Sequence, residues 1–227
     1  MSRIATLAFA YLVGAVPFSN LFAARLSGVD LRQVGSGTVS GTALYRVAGF
    51  KPLAVAGVLD VAKGGLVATL ARRASRRAAT PSADDPGGGP TPAKGWRAPT
   101  GTEAAAAGMV VVGHNWSPFL HGAGGRGVSP ALGALAVVAP EGSLLLLAGL
   151  VAGRLTRQTG LGTFASQLAL APALAARRGP AGGLAGLAMV VPMLAKRLLG
   201  NAPPKPDAPA RVYMARLLFD RDEWDEL

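Results

Sequence analysis

The sequence contains no cysteine and only two histidines, His114 and His121. The absence of cysteine excludes a disulfide framework, a thiolate nucleophile and a cysteine-based metal site. Two histidines are too few for a histidine-rich metal site, and we expect neither a bound metal nor a cofactor. Charged residues make up only 15% of the 227 residues and aromatic residues only 6%. A chain so poor in charge places most of its length in contact with something other than water.

Hydrophobic residues are abundant instead, at 50% of the chain, and they are grouped in long blocks. Most of these blocks have roughly the 17 to 25 residues that a helix needs to cross a bilayer. The 31 glycines suit membrane helices that pack backbone against backbone. We therefore predict an all-α, polytopic membrane bundle of about seven transmembrane helices. The seven apolar segments are 4–26, 52–71, 103–120, 128–139, 142–156, 160–176 and 182–199.

The formal net charge of +11 predicts that the binding partners are anionic. Basic residues are scattered through the loops between apolar blocks and are not interleaved with aromatic residues, which argues against nucleic acid. Anionic lipid headgroups and phosphorylated substrates are the favoured partners. The sequence leaves the oligomeric state open.

The domain organisation follows from the polar stretches. Residues 1–200 are predicted to form one membrane domain. It is interrupted by a loop over 72–101 that is rich in Arg, Pro and Gly and is predicted to be disordered. Residues 201–227 form a tail on the cytoplasmic side. Its stretch Arg211–Phe219 favours a short amphipathic helix at the membrane interface.

The first candidate site is the glycine-rich run Gly35-Ser36-Gly37, followed by Thr42 and Arg46. Glycines let the backbone N–H groups converge, hydroxyls add donors, and a guanidinium supplies a bidentate cation. This combination suits a phosphate. The alternative is a flexible loop whose arginine only marks the cytoplasmic side.

The second candidate site combines His114 with the run Gly124-Gly125-Arg126-Gly127 directly before an apolar segment. Glycine amides at a helix N-terminus, with a cation among them, favour an anion. The GxxxxGK[ST] spacing of a nucleotide-binding loop is absent. His114 is a candidate general base, although no carboxylate lies nearby in sequence to orient it, and the alternative is a hydrogen-bonded structural histidine.

The third feature is the pair Asp60 and Lys63, three residues apart within an apolar segment. At this spacing the two charges share one helix face and neutralise one another. Ionisable residues in a membrane helix are costly and suggest a function. A polar site facing the bundle interior and a purely structural ion pair remain equally supported.

Several short motifs, taken in order, resemble those of the bacterial acyl-phosphate-dependent glycerol-3-phosphate acyltransferases. The match covers most of residues 11–65 and 108–130. Its members are Tyr11 to Asn20, Gly28 to Arg32, Gly35-Ser36-Gly37, Leu59 to Gly64, Gly113-His114 and Gly124 to Val128. The resemblance implies a seven-helix enzyme of the bacterial inner (cytoplasmic) membrane with its motif loops at the cytoplasmic face. Its substrates would be acyl phosphate and glycerol 3-phosphate, and its products lysophosphatidic acid and phosphate.

Site residues carried over from the resemblance fall into two groups. Those with a catalytic role would be Ser36, Arg46, Arg126 and His114. Those that bind substrate would be Asn20, Gly35, Gly37, Thr42, Asp60, Lys63, Gly124, Gly125 and Gly127.

The sequence departs from the family pattern at several positions. Thr38, Ser40, Gly41 and Ala43 replace family residues in the first motif, and Arg126 replaces a lysine in the second. The third motif keeps its basic run near Arg197 without the preceding His and Asn. These departures favour, as an alternative, an inactive or altered-acceptor relative that binds lipids or regulates lipid synthesis. The intramembrane charge pair favours a small transporter as a third hypothesis.

The family orientation places the loop over 72–101 on the outer side of the membrane. That loop carries six basic residues against two acidic ones. The sequence therefore conflicts here with the positive-inside rule.

Overall fold

The computed structural model describes residues 2–35, 37–79, 97–201 and 209–221. Within these ranges the chain is helical, and nine α-helices follow one another. They are α1 Arg3–Ala15, α2 Phe18–Ser27, α3 Gly41–Ala48, α4 Phe50–Ala79, α5 Gly101–Asn115, α6 Val128–Val138, α7 Pro140–Leu155, α8 Thr159–Leu199 and α9 Ala210–Phe219. Short 3₁₀ turns cover Leu31–Gln33 and Pro118–Leu120. The prediction of an all-α membrane bundle is confirmed.

Helix boundaries follow from local chemistry. Pro17 has no backbone N–H and separates α1 from α2. At the start of α5, Thr100 and Glu103 cap each other's backbone N–H groups in a capping box. Inside α8, Gly179 has φ +68°, outside the helical region, and Pro180 follows it. The chain reverses there, and two apolar halves pack antiparallel, with Gly186 against Ala171 and Arg197 against Gly160. These halves correspond to the predicted segments 160–176 and 182–199.

Small residues let the helices approach closely. Gly64 of α4 lies against the backbone of Pro130 in α6, and Gly133 of α6 lies against the backbone of Val61 in α4. A Cβ at either glycine would collide with main-chain atoms, which cannot move aside as a flexible side chain does. This pair of contacts joins α4 to α6 in the manner of membrane helices with small residues at their interface.

The long apolar helices expose hydrophobic side chains on the outside of the bundle as well as burying others inside it. Three stretches of the described chain are long and apolar enough to cross a membrane, namely Arg3–Ser27, Phe50–Ala78 and Thr159–Leu199, and Val128–Val138 is a shorter apolar helix. Large hydrophobic side chains such as Val58, Leu144 and Leu184 are more than 60% exposed. Such surfaces are suited to contact with lipid rather than water.

The connections between helices fall into two groups, as their contacts show: Asn201 contacts Gly37 and Gly124 at one end, and Arg178 contacts Arg97 and Val138 at the other. The polar segments 28–49, 116–127, 156–158 and 200–201 lie at one end of the bundle. The N-terminus, the α6–α7 junction and the bend in α8 lie at the other. Motif loops far apart in sequence therefore meet at a single end.

The loop predicted over 72–101 begins later than expected. Helix α4 continues from Arg72 through Ala79, because this stretch is rich in alanine and arginine, which are good helix formers. Residues 97–100 have no regular secondary structure and lead into α5. The remainder of the predicted disordered loop, 80–96, lies outside the described residues.

The tail contains the helix that the sequence suggested. Helix α9 packs against the C-terminal end of α8. Arg216 donates to the carbonyl of Leu199 (3.0 Å), and Arg197 donates to the carbonyl of Leu217 (2.7 Å). These reciprocal hydrogen bonds fix α9 at the end of the bundle that carries the motif loops. Its placement at a membrane interface stays a prediction.

Candidate active site

A cleft of about 910 Å³ opens at the motif end of the bundle. Its walls come from the loop and helix over 34–46, from the start of α6, from the α7–α8 turn and from the end of α9. Two of the three sequence features that we singled out, the first glycine-rich loop and the second, thus line one cavity. The third reaches it through Asp60.

The first glycine-rich loop turns sharply before α3. Gly35 (φ +55°) and Gly37 (φ +67°) both occupy the left-handed region, where a side chain would be strained. Ser40 then caps α3, with its hydroxyl accepting from the N–H of Ala43 (3.3 Å). Arg46 is exposed on α3 and projects over the loop, since a Cβ added at Gly35 would lie 4.0 Å from its Nη1.

The segment just before this loop is fixed by an ion pair and by a contact with the second glycine-rich loop. The Arg32 guanidinium pairs with Asp30 and lowers the pKa of that carboxyl. Arg32 also lies 3.2 Å from Nδ1 of His121, at the start of the second glycine-rich loop. The two loops are therefore in contact at this point as well.

Three helix N-termini point into the cleft. Gly41 of α3, Gly127 before α6 and Thr159 of α8 all line it. The first amides of a helix have no intrahelical acceptor, and the helix dipole adds positive potential there. Together these N-termini make the cleft an anion-binding environment.

Arginines reinforce this potential. The described residues of the cleft wall include six arginines but only two aspartates, Asp60 and Asp220. The arginines are Arg46, Arg126, Arg154, Arg157, Arg197 and Arg221. A cleft of this charge is suited to ligands with one or more phosphate groups.

Arg126 is buried and already held by the protein. Its Nη1 donates to the carbonyl of Lys196 (2.6 Å) and its Nη2 to Oγ1 of Thr38 (3.2 Å). Its Nε forms an ion pair with Asp220 at 2.7 Å. Because only 9% of Arg126 is exposed, it offers a fixed positive charge to the cleft rather than a mobile side chain.

The second glycine-rich loop uses its first amides internally. The N–H of Gly124 donates to the side chain of Asn201 and the N–H of Gly125 to the carbonyl of His114. The amides of Val128 and Ser129, which also line the cleft, are the ones at the helix N-terminus. The anion donors of this loop therefore lie a few residues later than the glycines that the sequence suggested.

Asp60 and His114 line the cleft and form a buried cluster with Lys63, which lies behind the cleft wall. Nζ of Lys63 lies 2.7 Å from Oδ1 of Asp60 and 3.1 Å from Nδ1 of His114, and it donates to the carbonyl of Val16 at 2.9 Å. An ammonium only donates, so Nδ1 of His114 accepts and the ring proton sits on Nε2. Nε2 faces Gly125, where a Cβ would collide with it.

Some of the site residues predicted from the sequence line the cleft, and others do not. Those that line the cleft are Gly35, Thr42, Arg46, Asp60, His114, Gly125, Arg126 and Gly127. Gly37, Lys63 and Gly124 lie behind its wall, and Asn20 accepts a hydrogen bond from the N–H of Leu31 (2.8 Å) instead of lining it. Ser36 lies outside the described residues.

Sequence reasoning missed the wall formed by α7, α8 and α9. Arg154 and Arg157 are exposed at the α7–α8 turn, and Thr163 lies one turn into α8. The signal was present, because two arginines end one apolar segment and Thr159 and Thr163 share a face of the next. Asp220 carried no comparable signal, since it reaches the cleft only through the packing of α9.

The fold and the cleft define a class: a polytopic helical membrane protein with a basic, glycine-lined site for a phosphorylated ligand. Comparison with known proteins narrows this class. The family model described as glycerol-3-phosphate acyltransferase matches residues 4–199. The chain belongs to that family.

Curated relatives agree with this assignment. The chain is 34% identical over 165 residues to a glycerol-3-phosphate acyltransferase of Thermus thermophilus, covering 72% of this chain and 71% of the relative. Glycerol-3-phosphate acyltransferase 4 of Dehalococcoides mccartyi is 28% identical, with 93% of this chain and 83% of the relative covered. Glycerol-3-phosphate acyltransferase 1 of Deinococcus radiodurans is 33% identical over 62% of this chain, and the match spans 59% of that relative's length.

A solved structure has the same fold. The crystal structure of PlsY (YgiH), an integral membrane glycerol 3-phosphate acyltransferase, in its glycerol 3-phosphate form superposes with a TM-score of 0.71. The sequences are 24% identical, and 98% of this chain and 95% of the other are covered. The chain is thus a membrane protein with the fold of that structure.

Proposed function

We propose that this protein transfers a fatty acyl group from acyl phosphate to the 1-hydroxyl of glycerol 3-phosphate, giving lysophosphatidic acid and phosphate. Family membership supports the reaction class. The observation that carries the proposal is the convergence of three helix N-termini and six arginines on one cleft at the end of a lipid-facing bundle. A positive potential of this kind suits a site that binds two phosphate groups.

The two substrates take different parts of the cleft. The phosphate of glycerol 3-phosphate lies by Thr42 and Arg46, because Arg46 is the exposed guanidinium beside the first glycine-rich loop. The sequence motif also assigns Ser36 to this phosphate. The acyl phosphate lies beside Gly127 at the N-terminus of α6, where Val128 and Ser129 provide amides and Arg126 a fixed charge. The acyl chain extends along apolar helix faces.

The chemistry needs positioning more than a nucleophilic side chain. Acyl phosphate is an activated mixed anhydride. The substrate hydroxyl attacks the acyl carbon, a new C–O bond forms, the bond between acyl carbon and phosphate oxygen breaks, and phosphate leaves with the electron pair. The hydroxyl proton passes to a substrate phosphate. Alignment and charge neutralisation then supply most of the rate.

His114 has a different role from the general base suggested by its sequence position. Its proton on Nε2 makes it a donor toward the second glycine-rich loop, and Lys63 occupies its only acceptor nitrogen. We assign it to stabilising that loop or a bound oxygen, with Asp60 and Lys63 fixing its ring.

The membrane is the bacterial inner membrane, crossed several times, with the cleft end in the cytoplasm. Water-soluble glycerol 3-phosphate is a cytoplasmic substrate in this proposal, and every motif loop lies at the same end. This orientation leaves the basic C-terminal end of α4 on the outer side.

Acyl transfer by the purified protein in detergent tests the proposal. With acyl phosphate and radiolabelled glycerol 3-phosphate, we expect labelled lysophosphatidic acid. Arg46→Ala removes a charged hydrogen-bond donor to phosphate, so kcat/KM is expected to fall about 10- to 100-fold, mainly through KM for glycerol 3-phosphate.

Arg25→Ala is the matched control. Arg25 is an exposed arginine in the last turn of α2, away from the cleft wall, and its removal is expected to leave the kinetics unchanged. If the folded parent makes no product, an altered-acceptor or regulatory relative becomes the better description. Equal losses in both variants would refute the assignment of Arg46.

A further inference from the structure

Asn201 lies just beyond the end of α8 and touches both glycine-rich loops. Its Nδ2 donates to the carbonyl of Gly37 (2.8 Å) and to the carbonyl of Gly124 (2.9 Å). Its Oδ1 accepts from the N–H of Gly124 (3.0 Å). Three hydrogen bonds from one amide thus join loops that are separated by more than 80 residues of sequence.

The orientation of this amide is fixed by its neighbours. Two carbonyl oxygens face Nδ2 and one N–H faces Oδ1. A flipped amide would set its oxygen against two carbonyls. Both hydrogens of Nδ2 are therefore used, and a side chain without two donors cannot replace asparagine here.

The atoms held by Asn201 are next to the two phosphate subsites proposed above. Gly37 lies between Gly35 and the cap of α3, and Gly124 lies two residues before Arg126. Among the described residues the loops also share a backbone–backbone hydrogen bond, from the N–H of Val39 to the carbonyl of Gly124 (3.1 Å). Side-chain contacts from Arg126 to Thr38 and from Arg32 to His121 cross between them as well. Asn201 adds the contact that joins Gly37 to Gly124 directly.

We propose that Asn201 is a positioning residue that holds the two glycine-rich loops in register, so that acceptor and donor phosphates lie at the right separation for acyl transfer. The inference rests on the proposed function. It assigns no contact between Asn201 and substrate. Its effect is on the alignment of two bound molecules, which a reaction between two substrates depends on strongly.

Asn201→Asp tests the two donors with almost no change in shape. At alkaline pH the carboxylate faces two carbonyls, and we expect kcat to fall about 10- to 100-fold, from the loss of two partly buried hydrogen bonds. KM for each substrate is expected to change less than kcat, because each loop still binds its own substrate. As pH falls and the carboxyl is protonated, it regains one donor, and the activity relative to wild type at the same pH is expected to rise.

Two further variants complete the set. Asn201→Ala lacks donors at every pH and is expected to show the loss without the recovery. Gln33→Glu makes the same amide-to-carboxylate change at an exposed site on the first turn after α2, and its activity ratio is expected to stay near one. An Asn201→Asp variant as active as wild type, or one with a pH-independent deficit, would overturn the proposal.

A distance measurement makes the test independent of activity. The chain has no cysteine, so spin labels attach only at introduced ones, for example Gln33→Cys and Phe119→Cys, both at exposed positions. Asn201→Ala is expected to broaden the label–label distance distribution seen by double electron–electron resonance. An unchanged distribution would reject the loop-register role. If the wild-type protein binds its substrates and keeps its loops aligned but makes no product, only the proposed reaction is rejected.

Discussion

At the residue scale, a costly feature of this protein is the buried charge of Asp60 and Lys63. Asp60 is 5% exposed and Lys63 is 4% exposed. Neither would be stable alone inside an apolar helix, and their pairing at 2.7 Å, with His114 and the Val16 carbonyl as further partners, offsets the loss of water.

Removing one partner leaves the other charge unpaired. We expect Lys63→Met to lower the free energy of unfolding by about 3–5 kcal/mol, the usual cost of breaking a buried pair. Unfolding by sodium dodecyl sulfate in mixed micelles, followed by circular dichroism, measures this loss. The double variant Asp60→Leu with Lys63→Met removes both charges and should regain part of the stability. If the second substitution lowers the free energy of unfolding by as much again as Lys63→Met alone, this account is contradicted.

Sequence reasoning found these charges but not their third partner. The i, i+3 spacing predicts the Asp60–Lys63 pair because it depends on helix geometry alone. His114 lies 51 residues beyond Lys63, and no local pattern joins them. The same is true of Asn201, whose three hydrogen bonds depend on where α8 ends relative to two distant loops.

At the scale of elements, the interface of α4 and α6 depends on glycine. Gly133 is buried against the main chain of Val61, whereas a Cβ at Gly57, also in α4, would meet no atom within 4 Å. The same substitution should therefore have opposite effects at the two sites.

Gly57→Ala replaces a poor helix former with the best one and is expected to raise the free energy of unfolding by up to about 1 kcal/mol. Gly133→Ala gains the same propensity but forces the helices apart, for an expected net loss of about 1–3 kcal/mol. Thermal unfolding in detergent measures both variants. Equal shifts of the same sign would show that helix packing at Gly133 is looser than described.

The seven apolar segments all contain α-helix, because hydrophobic blocks of this length have few other stable forms in a membrane, although Pro17 divides the segment 4–26 and helix α5 ends at Asn115 within the segment 103–120. Their ends were harder to predict. The Arg-rich stretch after residue 71 continues α4, since polarity suggested a loop where alanine content favoured a helix. The N-terminus of α8, which lines the cleft, was also not recognised as part of the site, because an ordinary apolar segment follows it.

At the scale of the whole molecule, antiparallel connectivity alone sorts the motif loops to one end. Once the segments are known to be helices, their order places 28–49, 116–127 and 156–158 together. The charge of the loops does not decide which side that end faces, because exposed arginines such as Arg77 and Arg177 lie at the opposite end. A functional measurement decides it.

Oriented membrane vesicles test the central claim, a membrane acyltransferase whose cleft opens to the cytoplasm. Inverted and right-side-out vesicles from a bacterial strain producing the chain are sealed and given acyl phosphate and radiolabelled glycerol 3-phosphate outside, with Arg46→Ala vesicles as the background. We expect labelled lysophosphatidic acid above background in inverted vesicles, and in right-side-out vesicles only after permeabilisation. Formation in intact right-side-out vesicles would contradict the orientation, and no product above background in any vesicle would contradict the acyltransferase itself.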